Sequence, residues 1–573
     1  MDNREVAAVF DRIADLLEIQ GEAVYRVNAY RRAAESIRST SEEVAAMATA
    51  GRLQQIPGVG EAIASKIDEL LSSGRMAFYD KLVAAVPEGL IGVLEIQDVG
   101  PKKAARFWKE LGVTSVDDLE AAARAGKLRG LAGMGEKSET RILVSIEAYR
   151  RRSGRASIGV ALPSAERLLV KLRGMPGVRQ AELGGSLRRW RETIGDIDLV
   201  VASDDSALVV GGFAALAEVR RVRSQGETKV SVELEGGLQA QLWVHPVERF
   251  GTAWQYATGS QAHNVRLRER AQAMGLSLSE HGFRQPDGGE LLIAQEQHAY
   301  NVLGLAWVPP ELREDRGEMQ AAEAGALPVL VTEADLRGEL HAHSNWSDGG
   351  ATILEMAEAA SELGLTYLVI SDHSQSLGVA GGLSVDRLRA QRQEIDQAQR
   401  RLGSRLRLLQ GAEVEILADG RLDYPDAVLS ELDLVTASLH SSLRQSRPQA
   451  TARLLAAMRN PHVDMIGHPT GRMVEGREGA DLDLEEVFRV ALETRTMLEI
   501  NAHPDRLDLN DVHARRASEL GCLLAINTDA HRPSDLLLRR FGVGVARRAW
   551  LGPPQVANAW PLDDLLAWLS GGA

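Results

Sequence analysis

Apolar residues recur at three- and four-residue spacing through the first 150 positions, most clearly over 5–19 and 62–71, and that period predicts amphipathic helices separated by short glycine turns. From Val160 the period changes. Short apolar or alternating runs at 181–184, 197–201, 229–234 and 238–244 predict the strands of a mixed α/β unit. Residues 311–335 follow Pro309-Pro310, are rich in Glu, Ala and Gly with little periodicity, and read as a linker. Beyond Asp335, apolar runs such as Tyr367-Leu368-Val369-Ile370 and Asp433-Leu434-Val435-Thr436 alternate with helical patterns such as 353–363, the repetition of a parallel β/α barrel or sheet. His and Asp residues gather just after those runs, at the strand ends where such folds build their sites.

A length of 573 residues implies three or more cores. No apolar run approaches the roughly 18 residues that span a bilayer, and Met1-Asp2-Asn3-Arg4-Glu5 opens an amphipathic helix rather than a leader, so a cytoplasmic monomer with no membrane partner is expected. The single cysteine, Cys522, sits in Cys522-Leu523-Leu524-Ala525-Ile526 and reads as a small buried hydrophobe. The net charge of -14 at first argues against a polyanionic partner. Counting by segment changes that: residues 101–200 carry 20 Lys+Arg against 12 Asp+Glu, whereas 301–573 carry 27 against 40. The acidity belongs mainly to the C-terminal half, and nucleic acid is not excluded.

Three glycine turns interrupt the helical region: Ile56-Pro57-Gly58-Val59-Gly60, Val99-Gly100-Pro101-Lys102-Lys103 and Leu131-Ala132-Gly133-Met134-Gly135-Glu136-Lys137. Such a turn can point consecutive backbone N–H groups at one phosphate while the next helix adds its positive end. The three resemble helix-hairpin-helix motifs, which hold the DNA backbone without reading bases. The resemblance assigns DNA contact to Gly58, Gly60, Gly100, Lys102, Lys103, Gly133 and Gly135. Ahead of the first turn, Tyr25-Arg26-Val27-Asn28-Ala29-Tyr30-Arg31 resembles the N-terminal lyase domain of DNA polymerase beta, which adds Arg26 and Tyr30. In that family a lysine after the hairpin forms a Schiff base with a sugar aldehyde, and Lys66 stands at the matching place. That role needs partial desolvation, and a helix-surface lysine is the alternative.

Gly184-Gly185-Ser186-Leu187-Arg188-Arg189 is followed by Gly195-Asp196-Ile197-Asp198. On a strand both aspartates face one side and can hold a pair of divalent cations against a triphosphate. With the upstream Gly-Ser and paired arginines, the segment resembles the nucleotidyltransferase palm of family X DNA polymerases. The resemblance implies that Ser186, Arg189 and Gly195 grip the incoming phosphates with Mg or Mn at Asp196 and Asp198. It also implies nucleotide contacts from Tyr256, Gly259 and Asn264 and a template-side arginine at Arg268. Two departures stand out. In Leu238-Gln239-Ala240-Gln241-Leu242-Trp243-Val244-His245-Pro246 the family's third catalytic aspartate is replaced by Gln241, which coordinates through its carbonyl but neither offsets metal charge nor takes the primer hydroxyl's proton. Chemistry slower by about 10²-fold or more, or absent, is expected. Ala257 replaces the aromatic that usually follows the tyrosine.

In the C-terminal half, Asp335-Leu336-Arg337-Gly338-Glu339-Leu340-His341-Ala342-His343 places two histidines on one face of a strand end. Ser371-Asp372-His373, Gly411-Ala412-Glu413-Val414-Glu415, Ala437-Ser438-Leu439-His440, Ile466-Gly467-His468-Pro469 and Asn527-Thr528-Asp529-Ala530-His531 follow, each after a strand-like run. The set resembles the PHP (polymerase and histidinol phosphatase) domain, a distorted β/α barrel whose ligands hold Mn, Zn or Fe. Its nine ligand positions match His341, His343, Asp348, His373, Glu413, His440, His468, Asp529 and His531. Phosphoester hydrolysis is the reaction such a cluster suits, with Arg444, Arg447 and Arg472 as candidate phosphate contacts.

The order implies a lyase-like domain over 1–85, a second hairpin domain over 86–155, a palm over 156–245, a thumb over 246–310, a linker over 311–335 and a PHP domain over 336–573. The expected fold is thus multidomain: an all-α hairpin region, an α/β nucleotidyltransferase palm with thumb, and a distorted β/α barrel. The function it implies is gap-filling DNA synthesis in repair with manganese-dependent 3′-5′ trimming, taking gapped or nicked DNA and deoxynucleoside triphosphates. A 3′-end nuclease or phosphatase whose palm only positions DNA, and a DNA-binding scaffold without turnover, are the alternatives.

Overall fold

The computed structural model describes residues 1–571 apart from 2, 41–42, 88, 97–98, 132, 153–154, 236 and 475, so Ala132 of the third glycine turn lies outside the described residues. The chain forms two compact units, Met1–Gly154 and Arg155–Ala573.

The first unit is helical, with no strand among its described residues. Helices Asn3–Gln20 and Val24–Ser39 extend the periodicity read over 5–19, and their buried Val6, Phe10, Ile13, Leu17, Val27, Tyr30 and Ile37 supply the apolar stripe. Tyr30 stacks on Phe78 with ring centres 5.7 Å apart, so it is a core residue. Gly60 and Gly100 precede helices Glu61–Ser73 and Pro101–Leu111 as their N-caps, and Gly135 precedes Glu136–Arg152. A Cβ at Gly60, Gly100 or Gly135 would meet nothing within 4 Å, which leaves the backbone at these helix starts open. Gly58 (φ +77°) and Gly133 (φ +76°) turn the chain into them through left-handed backbone.

In the second unit the strands are, in chain order, β1 Ala156–Ser157, β2 Val178–Leu183, β3 Thr193–Ile194, β4 Asp196–Ser203, β5 Val219–Gln225, β6 Lys229–Leu234, β7 Gln239–His245, β8 Ser277–Ser279, β9 Gly282–Arg284, β10 Glu290–Leu291, β11 Gly338–Ala342, β12 Tyr367–Ile370, β13 Arg407–Glu415, β14 Leu434–Ser438, β15 Met465–Ile466, β16 Met497–Asn501 and β17 Leu524–Asn527. The palm is a five-stranded sheet in the order β2-β4-β7-β6-β5. Ile197, Leu199 and Val201 join the apolar cluster of helices Ile158–Arg173 and Ser206–Ala214, which turns Asp196 and Asp198 to the opposite face. The edge strand β5, Val219-Arg220-Arg221-Val222-Arg223-Ser224-Gln225, escapes the hydrophobic pattern because nearly all of it is exposed.

Residues 311–335 do not form a free linker. Arg313 is fully buried on Glu296 at 2.7 Å, and Glu318 is fully buried 2.8 Å from the His263 ring. The charge that makes this segment look solvated is paired inside the thumb.

The barrel comprises seven parallel strands in the order β11 to β17, each wholly buried except at the start of β13. The His343 N–H donates to the Ala530 carbonyl at 2.8 Å, linking its first and last strands just past their ends. The late helix Arg539–Arg548 packs on the palm: Phe541 meets the Trp190 ring at 6.2 Å, and a Cβ at Gly544 would lie 2.5 Å from that ring.

Candidate functional site

The parallel strands end together, so the residues after them converge. Three groups assemble with ligand atoms within 4.8 Å: His343, Asp348, His373 and His531; His341, His343, Glu413 and Asp529; and His373, Glu413 and His440. His468 joins through its Nε2, 2.9 Å from Glu413 Oε1. All nine residues named from the sequence therefore meet in one place, with Glu413 at the centre. His468 (φ 25°) and Asp529 (φ 53°) hold left-handed backbone that non-glycine residues rarely adopt, and this strain accompanies their turn into the cluster.

The cluster is not satisfied by itself. His341 Nε2, His343 Nδ1, both His468 ring nitrogens and both Glu413 oxygens are buried without a hydrogen-bond partner. Burial opposes charge on His373, but Glu413 and Asp348 outweigh it and push its pKa up to about 10. His531 is pushed up to about 9 against burial, by Asp348 and Asp529. Protons thus answer the buried carboxylates, a task that divalent cations fit better given this mixed imidazole and carboxylate donor set.

Residues outside the nine orient them. Glu499 accepts from the His468 N–H at 2.5 Å and lies 2.8 Å from His341 Nδ1, while Glu415 lies 2.8 Å from His440 Nδ1. Asn501 donates to Asp529 Oδ2 at 3.1 Å, and the Asp372 carboxylate pins the Ser344 N–H at 2.8 Å in the loop that carries Asp348. Sequence reading missed these partners, since a strand glutamate has no spacing that marks it. The candidate phosphate arginines fare differently: Arg472 is tied to Glu192 of the palm at 2.7 Å, and Arg447 is exposed 3.8 Å from Asp481.

In the palm, β4 and β7 run parallel and Asp198 lies directly opposite Gln241. The Gln241 Nε2 donates to Asp196 Oδ2 at 2.5 Å, so the amide binds one of the two strand aspartates. Burial first, then the adjacent Asp196, pushes the Asp198 pKa up to about 7, a frustrated pair that a divalent cation would relieve. A Cβ at Gly185 (φ +59°) would lie 2.0 Å from Asp198 Oδ2, which explains glycine in the Gly-Ser turn. Arg188 is held by Glu296 at 2.7 Å and lies over Trp254 at 3.6 Å. Arg189 bonds Glu314 at 3.1 Å and the Thr258 carbonyl, with Gly259 against it. Ser186, Gly195 and Tyr256 are partly exposed on this side of the unit, whereas Asn264 is buried, donating to the Tyr256 carbonyl at 2.8 Å. Arg268 is exposed one turn beyond.

In the helical unit Lys66 is partly exposed, donates to the Ala62 carbonyl at 2.9 Å and stands 5.1 Å over the Phe78 ring; Arg26 lies over the same ring at 5.7 Å. Gly58, Gly60, Gly100, Lys102, Gly133 and Gly135 are exposed, and Lys103 is partly so.

Comparison with known proteins follows the same division. Residues 1–76 match a helix-hairpin-helix domain, 90–148 a SAM-like helix-hairpin-helix tandem, 253–314 the DNA polymerase beta thumb and 339–503 the PHP domain. A Bacillus subtilis (strain 168) protein named DNA polymerase/3′-5′ exonuclease PolX is 37% identical over 572 residues, 99% of either chain. DNA polymerase lambda of Rattus norvegicus is 27% identical over 348 residues, 54% of this chain and 56% of its own. A Thermoanaerobacter sp. (strain X514) protein named probable phosphatase is 30% identical over 241 residues, 40% of this chain and 90% of its own. One likeness runs end to end, and the chain belongs to the family X DNA polymerases that carry a PHP domain.

Proposed function

We propose that this protein fills short gaps in DNA as a DNA-directed DNA polymerase and trims 3′ ends with a 3′-5′ exonuclease in its barrel. What carries the reading is the pairing, within one chain, of the Asp196–Asp198 strand and the nine-residue cluster, in a sequence that aligns end to end with a protein named for both activities. The domain limits of this reading are 1–85, 86–155, 156–245, 246–310 and 336–573, with 311–335 folded into the thumb side.

In the palm, Asp196 and Asp198 would hold Mg or Mn, and Ser186, Arg189 and the backbone at Gly195 would meet the triphosphate. Gln241 contributes a neutral carbonyl and leaves the primer hydroxyl's proton to solvent or substrate. In the barrel, His341, His343, Asp348, His373, Glu413, His440, His468, Asp529 and His531 would hold Mn, with Zn or Fe as alternatives. A divalent ion bound there supplies an activated water and stabilises the charge that builds on the phosphoryl oxygens. Glu499 and Glu415 fix the tautomers of His341 and His440, so that each presents its Nε2 to the cluster. Hairpin backbone and Lys102 and Lys103 hold the DNA strand, and Lys66 and Arg26 serve the 5′ side of a gap.

Primer extension across a one-nucleotide gap, with Mn²⁺ and with Mg²⁺, tests this on wild type, Asp196→Ala and His341→Ala. Extension should vanish in Asp196→Ala and persist in His341→Ala, which loses trimming. No extension with either ion while wild type still trims would favour a second reading, motivated by Gln241: a 3′-end nuclease whose palm positions DNA.

A further inference from the structure

The loop after β16 carries Arg506 to the edge of the barrel cluster. Its Nε stands 3.7 Å from Asp529 Oδ2, beyond hydrogen-bond reach, and its Nη1 is buried with no hydrogen-bond partner. Asp529 is already committed, through Oδ1 to His343 Nε2 at 3.0 Å and through Oδ2 to the Asn501 amide at 3.1 Å. Arg477 lies close enough that burial and the Arg506 charge together push its pKa down. Its Nε and Nη2 donate to the Gly471 carbonyl at 3.2 and 2.9 Å, and among the described residues no carboxylate lies within 4.0 Å of it.

Two guanidiniums that repel each other beside a metal-type cluster, one with an unmet donor, suit an anion with several acceptor oxygens. Their loops are fixed. The Asp508 carboxylate accepts from the Thr470 and Gly471 N–H groups, each at 2.9 Å, and the Val474 N–H donates to the Asp505 carbonyl at 2.7 Å. Arg472, five residues before Arg477, also has a buried Nε without a partner, but its Nη2 spends the charge on Glu192 and the Leu507 carbonyl.

We propose that Arg506, supported by Arg477, is the phosphate subsite of the barrel and holds a DNA phosphodiester against the cluster. This rests on the 3′-end reading above and names the residues that would bind its substrate.

The test uses the full chain as wild type, Arg506→Lys, Arg506→Gln and Arg477→Gln. Three quantities are read: KM and kcat for trimming a 5′-labelled single-stranded oligonucleotide with saturating Mn²⁺, inhibition by inorganic phosphate, and Mn retained per chain after desalting. Arg506→Gln should raise KM and the phosphate inhibition constant about tenfold or more with Mn content unchanged, Arg506→Lys should fall between, and Arg477→Gln should show a smaller rise. Unchanged KM and phosphate inhibition in Arg506→Gln overturns the proposal. So does a loss of Mn that Arg506→Lys restores, because Arg506 then serves Asp529 rather than phosphate. A wild type that never trims counts against the functional reading alone. Anisotropy of the same labelled oligonucleotide in EDTA still decides the subsite, with weaker binding by Arg506→Gln expected and equal binding overturning it.

Discussion

Asp198 and Gln241 face each other across parallel strands, and the Gln241 amide donates to Asp196 where the resemblance expects a third carboxylate. An amide there cannot share in holding a second cation, so Gln241→Asp should raise the rate of gap filling by about tenfold or more, read as single-turnover primer extension. An unchanged rate would mean that chemistry is limited elsewhere. A different balance governs Glu296: burial alone would raise its pKa, but Arg313 and Arg188 outweigh burial and hold it well below the usual carboxylate range. A depressed carboxyl contributes stability that is complete above its unfolded pKa of ~4.3 and is lost as the pH falls toward the folded value. Glu296→Gln should therefore cost about 3–5 kcal/mol near pH 7 and progressively less below about pH 4, measured by urea unfolding. Equal costs at the two pH values would dismiss the ion triad as the cause. The six cluster histidines stood out in the sequence because most of them follow apolar strand-like runs, and the set of nine, with Asp348, Glu413 and Asp529, came from the resemblance to the PHP domain. Arg506, Glu499 and Glu415 did not stand out, because arginines and glutamates are common everywhere and only the fold brings these three to the cluster.

Glycine turns and the helices after them are the elements through which the N-terminal unit would meet DNA. The open backbone at Gly60, Gly100 and Gly135 would give sequence-independent contact, with exposed Lys102 adding charge beside the second turn. Lys102→Ala should weaken gapped-DNA binding about equally across sequences and reduce the slope of log K against log salt by about 0.9, read by anisotropy from low to moderate salt. A changed affinity with the slope intact would place that lysine off the phosphates. Elements were legible wherever one face is buried: β6 and β12 coincide with the runs read as strands, and β2, β4, β7 and β14 lie within a few residues of theirs. The edge strand β5 was not, since its arginines face solvent and its pairing with β6 depends on a neighbour rather than on its own pattern. The segment 311–335 failed the other way, because a polar composition reads as solvated unless its pair partners, here Glu296 and His263, are known.

The second unit as a whole ties polymerase palm to barrel. Arg548 of the late barrel helix donates to the Arg189 carbonyl at 2.7 Å, to Glu314 at 3.0 Å and to Asp511 at 2.9 Å, and Glu314 also receives Arg189. Divalent ions that bind only the folded cluster should stabilise this unit, by about 2.7 kcal/mol at 100 times their dissociation constant. EDTA should therefore lower its melting temperature by several degrees and Mn²⁺ should restore it, whereas His341→Ala should blunt the response; a melting temperature indifferent to both would argue against metal in the barrel. The sequence by itself determined the helical character of the first unit, most of the half-buried and buried strands beyond it, and the mixed histidine and carboxylate character of the barrel cluster, because periodicity and residue identity are local properties. Only the tertiary structure decided which donors lie unsatisfied, which arginines are tied to carboxylates, and that a late barrel helix holds the palm turn that carries Arg189. Those facts depend on distances between residues that are far apart in the chain, and no local pattern records them.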